Sequence, residues 1–171
     1  MTAGQNWQAA FLRQARSDWE AYQKTTELEW PNCQRLHYLQ MVTEKLSKAF
    51  LVAGDTKLEN LTGSHAAFVK FIRILSGNRN LQRALSMKKP SQQKAKFKAL
   101  LQLAREIELL APALAQGGPN PEYPWEDPSG NILAPADHSF PLMQRLQKTP
   151  QGIQLLKYIE IFLKRFEELF M

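Results

Sequence analysis

Apolar residues recur along this chain at intervals of three and four, the spacing that lines one face of an α-helix. Trp7, Phe11, Ala15, Trp19 and Tyr22 predict a first helix from about residue 6 to about residue 26, ended by Trp30-Pro31. Leu36, Leu39, Val42, Leu46, Ala49, Phe50 and Ala53 predict a second, opened by Pro31-Asn32 and closed by Gly54. Beyond the loop DTKLENLTG, Ser64 is a candidate N-cap for a short third helix. That helix carries Phe68, Phe71, Ile72 and Leu75 and stops at Ser76-Gly77-Asn78. A few turns follow around Leu81, Ala84 and Leu85. Ser91 then caps a longer helix bearing Phe97, Leu100, Leu101, Ala104, Ile107 and Leu110, which runs until Pro112. Thr149-Pro150 reads as cap plus first-turn proline for a last helix. Its face is Ile153, Leu156, Ile159, Leu163, Phe166 and Phe170, widened by Leu155, Phe162 and Leu169. With no convincing alternating run, the expectation is an all-α, up-and-down bundle of four to five helices in a single domain over residues 1–171.

Residues 112–141 break this pattern. Seven of the ten prolines fall there, together with Gly117, Gly118 and Gly130. Tyr123, Trp125, Ile132, Leu133 and Phe140 are spaced through the stretch, so it reads as an ordered strap lying on the bundle. Its aromatics either seal the edge of the core or present faces for stacking.

Composition narrows the class. The chain has 171 residues, 44% of them hydrophobic and 22% charged, which fits one globular domain and excludes a disordered chain. The single Cys33 suits a reducing compartment. The N-terminus lacks a basic start followed by an apolar run, and no stretch of about 18 uncharged apolar residues occurs. A cytoplasmic protein with no membrane segment is therefore expected.

The formal charge of +6 conceals a strong asymmetry. Between Glu59 and Glu106 there is no acidic residue, while Lys70, Arg73, Arg79, Arg83, Lys88, Lys89, Lys94, Lys96, Lys98 and Arg105 supply ten positive charges. The remainder carries 12 basic and 16 acidic residues, and the four charges of the strap, Glu122, Glu126, Asp127 and Asp137, are all negative. Lys94, Lys98 and Arg105 fall on one side of the fourth helix, and Lys70 and Arg73 are neighbours on the third. This is either a phosphate-contacting face, with Tyr123 or Trp125 stacking on a base, or a solvated face kept soluble by lysine. The acidic strap either docks on these basic helices or competes there with a bound anion.

Candidate chemistry is sparse. Cys33, His37, Gln40 and Glu44 form a polar stripe on helix two, but no further His or Cys stands at metal-ligand spacing, so no metal or other cofactor is implied. His65 and His138 are isolated. Asp18 and Glu44 approach one another only if helices one and two pack antiparallel. No Gly-rich phosphate loop, GxSxG, HExxH or CxxC occurs, and the chain spells no reaction.

Four segments carry a family resemblance: ARSDWEAYQK, RLHYLQMVTEKLSKAFL, SHAAFVKFIRIL and GIQLLKYIEIFLKRFEEL. With Asp18-Trp19, the run from His37 to Ala49 and the step Tyr123-Pro124, the chain resembles the HEPN domain, named for higher eukaryotes and prokaryotes nucleotide-binding proteins. The resemblance implies a four- or five-helix bundle, frequent homodimerisation, and association with nucleotides, RNA or a nucleotidyltransferase partner. Catalytic members pair an Arg with a His a few residues on. Here Arg105 is followed by Leu110, Ala111 and Pro112 where that His would stand. The expectation is a non-catalytic binding module contacting phosphates through Lys70, Arg73, Lys94, Lys98 and Arg105. The alternatives are an antitoxin-like interaction subunit and, less favoured, a residual ribonuclease using His37 or His65 with Arg105.

Overall fold

The computed structural model describes residues 3–52 and 65–171. Among them the chain forms an all-α bundle of nine helices: α1 (Ala3–Glu27), α2 (Asn32–Val52), α3 (Phe68–Leu75), α4 (Arg79–Ala84), α5 (Pro90–Glu108), α6 (Pro112–Ala115), α7 (Pro141–Lys148), α8 (Pro150–Lys164) and α9 (Phe166–Phe170). The expected helix-ending Gly54, Ala53, the loop at 55–63 and the Ser64 cap lie outside the described residues. No described helix is long and apolar enough to cross a membrane.

Helix α2 is the axis of the fold. Leu36, Leu39, Val42, Leu46 and Ala49 are fully buried, and the helix packs against α1, α3 and α5. Around its C-terminal half an aromatic cluster joins five helices: Phe71 meets Phe162 edge-on at 5.7 Å, Phe97 stacks on Tyr158 at 5.3 Å, and Phe170 meets Phe50 of α2 at 5.2 Å. Such ring pairs add about 0.5–1.5 kcal/mol each beyond the area they bury.

Helix α1 buries Ala15 and Tyr22 as expected, but its inward face is displaced from the predicted stripe. Trp7 is exposed and Phe11 and Trp19 are only partly buried, whereas Gln8, Leu12, Ala15, Asp18, Tyr22 and Thr25 face the core. The polar members are tolerated because α2 and the helix's own backbone supply partners. Gln8 donates to the Ala49 carbonyl at 3.2 Å, Asp18 pairs with Lys45 at 2.9 Å, and Thr25 donates to the Tyr22 carbonyl.

Thr149 caps α8 as expected, its hydroxyl accepting from the Gly152 N–H at 3.1 Å ahead of Pro150. The Ser91 cap is not used; Lys89 occupies the N-cap position and Pro90 the first turn of α5. The last helix is broken at Arg165, which turns Phe166, Leu169 and Phe170 back towards the core. Helix α7 was not foreseen. It buries Leu142, Met143 and Leu146 and runs so close to α8 that a Cβ on Gly152 would lie 2.2 Å from the Arg145 carbonyl oxygen.

The strap is ordered. Asn120 accepts from the N–H groups of Glu122 and Tyr123, and the segment then forms a two-stranded antiparallel ladder pairing Trp125 with Leu133 and Glu126 with Ile132. A 3-10 turn at Pro135–Asp137 lies against α2.

Candidate anion-binding groove

Helix α3 is short and has no capping side chain of its own, for its N-cap residue is Ala67. Helix α5 supplies the missing partners at both ends. Glu108 accepts from the Val69 N–H at 3.1 Å, and the Gln93 side-chain amide donates to the carbonyls of Leu75 at 2.6 Å and Asn78 at 2.9 Å. Free N–H and C=O groups at helix ends are costly when covered, so this clamp fixes both the position and the direction of α3 along α5. Neither residue was foreseen as functional. One signal exists: an acidic side chain in the last turn of α5 opposes the helix dipole and asks for a partner outside its own helix.

Between the clamped helices runs a groove of about 270 Å³ lined by Ile72, Arg73, Ser76, Lys94, Phe97, Lys98 and Leu101. Its floor is apolar and its walls carry three cations from two helices with no carboxylate among them. Arg73, Lys94 and Lys98 are therefore brought together as the charge pattern suggested. Lys70 and Arg105 are exposed on the same two helices but do not line the groove.

Among the described residues, none of the ten cations of the block between Glu59 and Glu106 forms an ion pair. Elsewhere Arg16, Lys45, Lys48, Arg145, Lys164 and Arg165 each pair with a carboxylate. The carboxyl of Glu108, which holds the N-terminal end of α3, lies outside the groove lining. Burial pushes its pKa above the usual glutamate value, against the opposing pull of the Val69 and Phe68 N–H groups and the charges of Arg105 and Arg73.

Among the described residues, no acidic side chain of the strap pairs with a cation of the basic helices. Glu122 reaches His37 on α2 at 3.4 Å, and no strap residue lines the groove. Trp125 is buried, edge-on to His138 at 4.9 Å and packed with Phe140, so it offers no face to a base. Tyr123 is exposed, but on the strap, outside the groove lining. Trp125 therefore anchors the strap, and Tyr123 stands on its exposed side.

The polar stripe of α2 is an internal network. Gln40 donates to Glu44 at 3.0 Å, Lys48 pairs with Glu44 at 2.7 Å, and the Nδ1 of His65 lies 2.9 Å from the other Glu44 oxygen. Burial raises the Glu44 pKa, but the hydrogen bonds from Lys48, His65 and Gln40 and the Lys48 charge outweigh it, leaving the carboxyl below its usual value. Asp18 and Glu44 thus take separate lysines and form no carboxylate pair. Cys33 is buried in the core, and no group of three or more described His, Cys, Asp or Glu residues is placed to hold a metal ion. A separate apolar groove of about 390 Å³ lies between α1 and the α7–α8 pair, lined in part by Trp19, Tyr22, Leu146, Ile153 and Leu156.

Compared with known proteins, the chain matches no family model, no curated sequence and no solved structure.

Proposed function

We propose that this protein is a non-catalytic, HEPN-like binding module that holds a nucleotide or RNA phosphate in the α3–α5 groove. One observation carries the reading: Arg73, Lys94 and Lys98 converge on one groove while no described carboxylate pairs with them. Arg73 is suited to bidentate contact with a phosphate, and the two lysines add point charges on the opposite wall. Lys70 and Arg105 extend the field along the same helices and steer anions towards it. The apolar floor of Ile72, Phe97 and Leu101 gives the uncharged part of a ligand a surface to lie on.

Fluorescence anisotropy with labelled single-stranded RNA, and competition by ATP, across a salt series tests the reading. Three phosphate contacts give a slope of log affinity against log salt of about −2. Replacing Arg73, Lys94 and Lys98 by Ala flattens the slope and removes most of the affinity. No binding at low salt, or unchanged binding by the triple variant, refutes the proposal.

The apolar groove beside α1, with Ile153 54% exposed on its edge, supports a second reading in which a second copy of the chain covers this face. A nucleotidyltransferase partner covering this face is the other form of the same reading. Light scattering on the pure protein separates the two readings, since a strict monomer at high concentration removes the homodimer.

A further inference from the structure

The groove lies between the two clamps that tie α3 to α5. Gln93 donates to the Leu75 and Asn78 carbonyls at one end and Glu108 accepts from the Val69 N–H at the other, so the two helices run antiparallel. Within that interval the lining covers the last turn of α3 and its cap, from Ile72 to Ser76, and about two turns of α5, from Lys94 to Leu101. A cleft of about 270 Å³ is short for a track along a polynucleotide and has the size of a small-ligand pocket. Yet Arg73, Lys94 and Lys98 all line it, while Lys70 and Arg105 lie outside. A phosphodiester inside a strand offers one negative charge. A phosphate monoester carries about −1.5 to −2 charges at neutral pH and three acceptor oxygens. Cations from two facing helices match the monoester in charge and leave a larger excess over the diester.

The geometry points to a terminal phosphate monoester of a nucleotide as the ligand of this groove: the Arg73 fork takes two of its oxygens, and Lys94 and Lys98 on the other helix supply the remaining charge. The assignment rests on the reading of the groove as an anion site and narrows it from any phosphate to a phosphorylated end. Ile72 and Phe97, both fully buried, form with Leu101 a floor without hydrogen-bonding side chains. The sugar and base that follow the phosphate are therefore accepted by shape, and no base edge is read. The phosphorylated end of an RNA strand and a free nucleoside monophosphate present the same chemistry to these residues.

The probes are oligouridylates of about ten nucleotides, phosphorylated at the 5′ or the 3′ end and carrying fluorescein at the opposite end. Each is compared with a hydroxyl-ended strand two nucleotides longer, which has the same total charge, by anisotropy at one low salt concentration and about pH 7.5. At least one phosphorylated strand binds about tenfold tighter than its charge-matched control. Arg73→Lys keeps the charge but loses the fork, and reduces that preference to about threefold or less. Changing Lys70 and Arg105 together to Ala weakens every strand alike and leaves the preference in place. Competition by uridine monophosphate assigns the source: displacement of the phosphorylated strand makes it the free nucleotide, and resistance makes it the strand end, the monoester standing in both cases. Equal binding of phosphorylated and charge-matched hydroxyl strands overturns the assignment while leaving the anion reading intact. A preference that survives replacement of Arg73, Lys94 and Lys98 by Ala puts the monoester outside the groove and also overturns it. No binding of any strand overturns the anion reading and the assignment with it.

Discussion

Helix α2 and the α3–α5 groove are both rich in charge, yet they treat it in opposite ways. On α2 the side chains of Lys48 and Glu44 are 4% and 10% exposed, and each finds the other at 2.7 Å, with Gln40 and His65 satisfying the remaining carboxylate oxygen. In the groove Arg73, Lys94 and Lys98 are exposed and stand without an ion-pair partner among the described residues. A buried charge must be matched within the fold, because the desolvation cost otherwise falls on stability. An exposed cluster of one sign has no such requirement and leaves its field available to an external ion. The first arrangement spends its charge inside the fold, and the second leaves it open to solvent and ions. A lysine count along the sequence does not distinguish them.

The sharpest way to break this contrast is at Lys48. Lys48→Met leaves Glu44 buried with its main counter-charge gone and is expected to cost about 3–5 kcal/mol of unfolding free energy in chemical denaturation. Anion affinity of the surviving folded fraction is unaffected. Replacing Glu44 and Lys48 together by Met and Leu recovers about half of that loss or more, since an apolar pair leaves no uncompensated charge behind. A single variant that is no less stable than the parent would show that the pair is already wet, and the distinction drawn from burial would fail.

The groove is expected to behave in reverse. Changing Arg73, Lys94 and Lys98 together to Ala alters stability by within about 1 kcal/mol, because the side chains touch solvent and their removal relieves mutual repulsion. The same variant loses RNA affinity by at least about tenfold at low salt. Denaturation midpoints and anisotropy on one preparation test both halves. A large loss of stability would place these cations among the structural charges.

How far this division was legible without coordinates differs between residues. The apolar stripe of α2 and the Thr149-Pro150 start of α8 follow from spacing and cap chemistry, which are local properties. The groove cations were legible too, because an acid-free block at helical spacing places like charges on one side of two helices. The inward face of α1 was not, since Gln8 and Asp18 become acceptable core residues only through the Ala49 carbonyl and Lys45 of another helix. Trp125 and Tyr123 look alike two residues apart, and only the packing of His138 and Phe140 makes one an anchor and leaves the other exposed. Helix α7 has three buried apolar positions in eight residues, too few for periodicity to announce it. Glu108 and Gln93 lay furthest from view, because their roles are caps made across a tertiary contact.

The smallest expected effect separates the two regions by sign. Glu44 is held below its ordinary carboxylate pKa, so the stability it contributes is present above the unfolded-state value and disappears as pH falls through the lower folded-state value. Glu108 is held above the ordinary value. Its contribution is therefore present below the unfolded-state value and is lost as pH rises through the higher folded-state one. Measured without ligand, the penalty of Glu44→Gln shrinks on acidification, because the parent protein loses what the variant never had. Glu108→Gln moves the other way and gains on the parent as pH rises from acid to neutral. Denaturation midpoints of the three proteins over this range give two difference curves of opposite slope. Parallel curves would mean that both carboxylates answer to the same balance of burial and pairing, and that burial does not dominate at Glu108.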